Sequence, residues 1–412
     1  MQRIIFHIDV NSAFLSWSAA DRIKKGIYPD LREIPSVIGG NKKERKGIVL
    51  AASIPAKQLG IKTGEKLYNA MEKCENLITI KPDFAIYSES SRTMKEICER
   101  FSPTVEMFSI DELFLDYTNM EMHFGSPLSG AAKIQEAIFK EQGVTVNIGI
   151  SENKLLAKMA SDFEKPNKIH TLFQSEIKSK MWPLPISDLL MIGRKTSAKL
   201  ESLGIKTIYQ LAEADDDLLE FHFKSQGKIM KAYANGIDLS NVKNFKEKEK
   251  SISNGTTLFK NADSPHDAYP ILLSLCEKIT YRLRNNGFSC NHLTLYLKDK
   301  NFVTRSECMS FTHPVSSTND LFNFSKILIN RLFDNIPIRA ITLAVSKFSD
   351  MDTRQCNFFD DSYDEKAEAV EKSVYEIRKT HGYLAVTRAS LLNNITAISL
   401  AKESVPGLSS KL

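Results

Sequence analysis

Asp111 and Glu112 are adjacent carboxylates within Ser109-Ile110-Asp111-Glu112. Neighbouring carboxylates repel, so both stay ionised only beside something positive. A hard divalent cation such as Mg²⁺ prefers carboxylate oxygen and answers that need. A solvated surface turn would carry the same pair, so the motif alone admits both readings. A third carboxylate shifts the balance. Ile4-Ile5-Phe6-His7-Ile8 is a near-continuous apolar run that ends in Asp9-Val10-Asn11. A carboxylate at the end of a buried strand is costly unless it is paired or bound to metal. Two strands lying side by side would bring Asp9 against Asp111 and Glu112, a cluster able to hold two metal ions.

The elements that must position these groups are legible around them. Val105 and Met107 alternate with polar residues before the turn, and Leu113-Phe114-Leu115 follow it. This predicts a strand, a tight turn and a second strand. After Asp9, residues 12–20 read as a helix with Asn11 or Ser12 as N-cap. Its first N–H groups suit an anion such as a phosphate. Phe14 lies one turn in, on the side of such a ligand, although core packing is the default for a lone Phe. Residues 48–52 read as a buried strand, and 53–60 as a turn entering a helix with Pro55 near its first position. Lys57 there is either a phosphate-holding group or a solvated lysine. Helices are expected over 88–101, 131–139 and 155–161, and a strand over 144–150. Lys165-Pro166-Asn167 stops the last helix, with Lys165 emerging from the layer of the carboxylates. This order fits a mixed sheet with helices on one face, an α+β domain.

Residues 186–205 read as a helix-hairpin-helix with its turn at Ile192-Gly193, flanked by Lys195 and Lys199. Such a turn offers backbone N–H groups to a nucleic-acid phosphate without reading bases. Residues 242–250 are lysine-rich and read as a tether. Beyond them lies a second α+β unit, with helices near 268–285 and 319–333 and strands over 293–297 and 340–345. It carries Arg282, Arg284, Lys298 and Lys300. In the polar tail, Phe358 and Phe359 are candidates for docking into a partner. A charged helix pattern over 363–379 has no assigned role.

Composition sets the limits. The chain has 412 residues, 42% hydrophobic and 25% charged, which suits several globular domains. A net charge of +5 permits nucleic-acid binding without demanding it. Six cysteines with no CxxC spacing argue against a zinc site or a disulfide frame and for a reducing compartment. No apolar run approaches the roughly 18 residues of a membrane span, and no signal pattern opens the chain. A cytoplasmic protein is expected.

In these residues, and in this order, the chain resembles the Y-family (translesion) DNA polymerases over roughly residues 1–360. Its tail and finger-like segment look closer to the UmuC-like than to the DinB-like branch. The matching stretches are Asp9-Val10-Asn11-Ser12-Ala13-Phe14, Ser109-Ile110-Asp111-Glu112, Gly149-Ile150-Ser151-Glu152-Asn153-Lys154 with Lys165-Pro166-Asn167, and the Ile192-Gly193 hairpin.

The resemblance implies an α+β multidomain, right-hand polymerase. Its palm would be 1–20 and 77–168, its small fingers 21–76, and its helical thumb with the helix-hairpin-helix 169–240. A linker at 241–250, an α+β little finger at 251–350 and a tail at 351–412 with a clamp-binding motif and a helix would follow. The implied activity is low-fidelity, template-directed DNA synthesis in translesion synthesis and DNA repair, expressed on DNA damage. Asp9, Asp111 and Glu112 would be catalytic and hold two Mg²⁺ ions, with Mn²⁺ able to substitute and the Val10 carbonyl as a further ligand. Asn11, Ala13, Phe14, Lys57 and Lys165 would bind the nucleotide, with Phe14 as the steric gate against a ribose. Ile192, Gly193 and Lys195 would bind DNA, and Gln355, Phe358 and Phe359 a sliding clamp. Primer–template DNA, dNTP, the clamp and accessory subunits of the UmuC-like type are the implied partners of a monomer. The family commonly has Tyr and Arg where this chain has Ile54 and Lys57. Ile54 cannot hydrogen-bond a phosphate, and Lys cannot grip one bidentately. Cys356 is an unusual second residue for a clamp peptide. Two rivals are another palm-type enzyme such as a nucleotide cyclase, which needs no DNA grip, and a non-catalytic DNA- and clamp-binding factor, which needs no carboxylates.

Overall fold

Every residue of the first strand is buried, so both of its faces must be covered. The computed structural model describes residues 3–40, 47–244, 249–351, 365–392, 394 and 397. The chain divides into two compact units, one built on Met1–Gly39 with Val49–Lys246 and one essentially on Glu247–Lys411. In chain order the strands of the first unit are β1 (Ile5–Val10), β2 (Ser36–Gly39), β3 (Val49–Ala52), β4 (Ile78–Ile80), β5 (Val105–Met107), β6 (Glu112–Asp116), β7 (Val146–Ser151) and β8 (Ile169–Thr171). The main sheet runs β5-β6-β1-β7-β8, with β1 central and antiparallel to both neighbours. A smaller sheet runs β3-β2-β4 and takes its third strand from just past residue 76.

Side chains alternate across a strand, and the two faces of the main sheet carry different chemistry. Phe6, Ile8, Val10, Leu113, Leu115, Val146, Ile148 and Ile150 form one apolar face. The helices Ala13–Lys24, Phe84–Glu99 and Pro127–Gln142 bury it through Trp17, Tyr87, Met94, Ile97, Ile134 and Ile138. Each such burial stabilises by about 1.5–3 kcal/mol. The other face carries His7, Asp9, Glu112, Asn147 and Gly149, and is covered by the helix Lys154–Ser161. Helices on one face only, the expectation from element order, is therefore corrected. The second face of β1 is buried too, and Asn153 caps a helix that lies down on it. Gly149 makes this approach possible. A Cβ there would meet the Ala157 carbonyl oxygen at 1.9 Å and the Ser161 nitrogen at 2.5 Å.

The helical segment that follows shares a core with the Lys154–Ser161 helix, in which Leu155, Leu156 and Met159 pack with Ile186, Leu189, Ile192, Leu200, Ile205, Ile208 and Leu211. The first helix of the expected hairpin is a single 3₁₀ turn, Ile186–Asp188. Pro183 and Pro185 stand just before it, and a proline offers no N–H and restricts the residue before it. The second helix, Arg194–Ser202, starts from Gly193. The stretch expected as a tether begins docked. Val242 packs with Ile5, Phe114 and Ala157, and Asn244 accepts the Val105 N–H at 2.9 Å.

The second unit adds β9 (Ser251–Ala262), β10 (Phe288–Asp299), β11 (Thr304–Val315) and β12 (Ile338–Asp350), ordered β11-β10-β12-β9. Helices Pro265–Asn285 and Thr318–Leu332 bury one face of this sheet. The charged pattern near 363–379 forms the helix Glu365–His381, and it is anchored. Glu368 lies 2.9 Å from Arg284, and buried Glu277 receives both Arg378 at 3.2 Å and Arg388 at 3.0 Å. Gln355, Phe358 and Phe359 lie outside the described residues. No helix among the described residues is long and apolar enough to cross a membrane.

Gly149→Ala tests the close approach of helix and strand. Overpacking of this kind costs about 1–3 kcal/mol, so the urea midpoint of the variant is expected to fall. An unchanged midpoint would contradict the role given to Gly149.

Candidate active site

The register of β1 against β6 sets Asp9 directly opposite Glu112. Opposite residues on paired strands share a face, so the two carboxylates stand side by side. Asp111 precedes β6, and its carbonyl accepts the Val10 N–H at 3.1 Å, fastening the turn to the end of β1. Asp9 is 5% exposed, whereas Asp111 and Glu112 are partly exposed.

Each carboxylate is held differently. Lys158 Nζ lies 2.9 Å from Glu112 Oε1, and His7 Nε2 lies 3.5 Å from Oε2. Burial alone would raise the Glu112 carboxyl, but His7 and Lys158 outweigh it and hold it at about 2. Asp9 pairs with Lys165, whose ammonium also lies 2.9 Å from Asp162. Burial still pushes the Asp9 carboxyl up, because one ammonium does not replace the lost water. Asp111 accepts the Ser109 hydroxyl at 2.6 Å. Among the described residues, no three His, Cys, Asp or Glu side chains are gathered closely enough to hold a metal ion. Lys158, Lys165 and Ser109 draw the three carboxylates to separate partners.

His7 was not singled out from sequence, yet it is the floor of the site. It precedes Asp9 by two residues and so shares its face. Burial lowers its pKa to about 4 and keeps it neutral. Its Nδ1 lies 2.8 Å from Ser161 Oγ, which also bonds the Lys158 carbonyl. A proton on Nε2 presents a donor to Glu112. Asn147 was also missed. Its Oδ1 accepts from Asn11 at 3.0 Å, and its Nδ2 donates to the Glu164 carbonyl at 2.6 Å. Asn11 Oδ1 in turn accepts the Asn167 N–H at 2.9 Å. The Asn11 side chain thus holds the loop that carries Lys165.

Ser12 is left-handed, with φ 49, and no side chain caps the helix that follows. Ala13 is buried and Phe14 half-buried. Phe14 stacks on Tyr87 with centroids 4.4 Å apart and meets Phe84 edge-on at 5.9 Å. Lys57 donates to Ser12 Oγ at 2.8 Å. Its pKa is lowered by desolvation and by Lys165, with Asp9 opposing, which places these three groups in one neighbourhood. Ile54 begins the short helix that carries Lys57. The structure therefore brings together Asp9, Val10, Asn11, Ala13, Phe14, Lys57, Asp111, Glu112 and Lys165. Ile192, Gly193 and Lys195 lie in the helical segment that follows, with Ile192 buried in its core and Gly193 and Lys195 exposed. The donor set at the carboxylates is all oxygen, which suits Mg²⁺ or Mn²⁺. Two lysines and an uncapped helix start beside it suit a polyphosphate.

Comparisons with known proteins bear on the family of the chain. Residues 8–162 match the impB/mucB/samB family, residues 249–358 its C-terminal domain, and residues 175–205 the IMS family HHH motif. The chain is 42% identical over 392 residues to "DNA polymerase IV" of Clostridium acetobutylicum, covering 95% of this chain and 99% of that one. It is 33% identical over 405 residues to the protein of the same name from Alkaliphilus oremlandii, covering 95% and 100%. A solved Y-family DNA polymerase chimera is similar in fold, with a TM-score of 0.73 at 22% identity over 84% of this chain and 98% of that one. These names fit the DinB-like branch, so the leaning toward the UmuC-like branch is set aside.

His7 yields a pH prediction. An unfolded histidine titrates near 6.5 and folded His7 near 4. Between these values the unfolded chain binds a proton that the folded chain refuses, so stability falls as pH drops from 6.5 toward 4. The slope is at most about 1.4 kcal/mol per pH unit. Glu112 contributes in a lower window, because its stabilisation is complete above its unfolded pKa of 4.5 and lost as pH falls toward 2. His7→Gln is expected to flatten the urea-stability profile between pH 6.5 and 4. Parallel profiles for variant and wild type would contradict the buried neutral ring.

Proposed function

The chain belongs to the impB/mucB/samB family of Y-family DNA polymerases, and from that premise we propose that Asp9, Asp111 and Glu112 are its catalytic carboxylates. It is a DNA-directed DNA polymerase that acts in translesion synthesis. Its substrates are primer–template DNA and dNTPs. The observation that carries the site assignment is the pairing of Asp9 with Glu112 across β1 and β6, with Asp111 fastened alongside.

Asp9, Asp111, Glu112 and the Val10 carbonyl would hold two Mg²⁺ ions, with Mn²⁺ able to substitute. The chemistry such ions would supply is activation of the primer 3′-hydroxyl and neutralisation of the triphosphate and pyrophosphate charge. The chain's own residues supply position and charge. The uncapped start of the Ala13–Lys24 helix turns N–H groups toward phosphate. Lys57 and Lys165 add positive charge at the same edge. The Phe14 ring, fixed by Tyr87 and Phe84, stands as a wall where a ribose 2′-hydroxyl would clash. Ile192, Gly193 and Lys195 grip the DNA backbone without reading bases. Gln355, Phe358 and Phe359 dock to a sliding clamp. The described cysteines are free, which suits a cytoplasmic enzyme.

Primer extension on an undamaged template with Mg²⁺ and dNTPs tests this. Wild type is expected to extend in short, distributive runs, and Asp111→Ala with Glu112→Ala to give none. Phe14→Ala is expected to incorporate ribonucleotides more readily. Extension by the double variant would overturn the carboxylate assignment, and unchanged sugar selection would overturn that of Phe14.

A further inference from the structure

Three lysines meet the carboxylate edge, and they are not equally free. Lys158 is 9% exposed and locked to Glu112 beneath the sheet face. Lys57 rests on the Ser12 hydroxyl. Lys165 alone pairs with Asp9, and its side chain is 38% exposed. The backbone that carries it is fixed by Asn11 and Asn147 through Asn167 and Glu164. Asp162 offers the ammonium a second acceptor at 2.9 Å. The backbone is pinned while the ammonium end is free to change partners.

The Lys165 ammonium lies against Asp9 Oδ2. That carboxylate is also the one proposed to bind metal. A divalent cation on Asp9 repels the Lys165 ammonium and weakens its pairing there, and the exposed Lys165 end has other anions to turn to, whereas Lys158 is nearly buried against Glu112. We propose that Lys165 is an exchangeable counter-ion: it balances Asp9 until a divalent cation takes that carboxylate, and the displaced ammonium then engages the nucleotide triphosphate. This rests on the assignment of Asp9 as a metal ligand. No bond is made or broken covalently, and the only change is which anion the ammonium faces.

The exchange couples two ligands. Metal alone must displace Lys165 and binds weakly. A nucleotide draws Lys165 off Asp9 and so strengthens metal binding, and by linkage metal strengthens nucleotide binding. Removing the ammonium therefore moves the two ligands in opposite directions. A merely damaged site would weaken both. Lys158, by contrast, is nearly buried against a partly exposed Glu112 and serves as permanent balance.

The test is Mn²⁺ binding to the full chain without DNA or nucleotide, read from the electron paramagnetic resonance signal of free Mn²⁺. Lys165→Gln is expected to bind Mn²⁺ more tightly than wild type, on the order of tenfold. Lys165→Arg, which keeps the charge, is expected to resemble wild type. In steady-state extension at saturating metal, the KM for dATP is expected to rise in Lys165→Gln. Equal or weaker Mn²⁺ binding by Lys165→Gln, while Asp9→Asn loses binding, would overturn the exchange and leave the carboxylate site standing. Undiminished Mn²⁺ binding by Asp9→Asn would overturn both.

Discussion

Two carboxylates placed opposite one another on a covered sheet face are the constraint on which the rest of this protein depends. Strand register forces Asp9 and Glu112 together, and like charges at such positions destabilise a sheet. Each is tolerable because a cation is supplied from outside the strand pair. Stripping a buried ion pair of one partner typically costs about 3–5 kcal/mol. Much of the palm-like sheet is arranged to prevent that. Gly149 lets the Lys154–Ser161 helix lie close enough to deliver Lys158, and Ser161 holds His7 from the same helix. Asn147, on the strand beside β1, fixes the loop that delivers Lys165. The two anions differ in kind as a result. Glu112 is fully compensated and held at about 2, while Asp9 stays raised by burial and short of positive charge.

The second unit uses buried charge for a different end. Glu277, nearly inaccessible, takes two arginines from the C-terminal segment, and Arg284 takes Glu368 and Glu371 from the Glu365–His381 helix. An apolar contact between Leu273, Leu391 and Ala397 adds to this. The helix is thus an integral part of its unit. Among the described residues, the helices cover one face of the sheet. Along β10, Leu293, Leu295 and Leu297 are buried while Thr294, Tyr296 and Lys298 alternate with them toward the other face.

Much of this could be read from the residues. The pairing of Asp9 with Glu112 was anticipated from the apolar runs that end in Asp9 and follow Glu112, which mark two buried strands with the carboxylates at their ends. The second unit was legible for the same reason, although its strands over 293–297 and 340–345 prove longer. They extend to Phe288–Asp299 and Ile338–Asp350 because serine, threonine and lysine on the face away from the helices continue a strand without an apolar signal. Of the two counter-ions, Lys165 was placed near the carboxylates and Lys158 was not legible. Lys158 sits in an ordinary helical run, and nothing local says that this lysine faces a carboxylate 46 residues away. His7 did carry a signal, since it shares the period-2 face of Asp9. The second role of Asn11, bracing the loop of Lys165, was not legible, because its partners Asn147 and Asn167 are remote in sequence. The 3₁₀ turn at Ile186–Asp188 was announced by Pro183 and Pro185, which the helix pattern obscured.

The most direct test of the account is a crystal structure with primer–template DNA, a non-hydrolysable dNTP and Mn²⁺, with the metal located by its anomalous signal. Manganese is expected on Asp9, Asp111 and Glu112, with Lys158 still on Glu112 and Lys165 moved from Asp9 to the triphosphate. Manganese away from these carboxylates would contradict the site. Lys165 remaining on Asp9 beside a bound metal would contradict the division of labour between the two lysines.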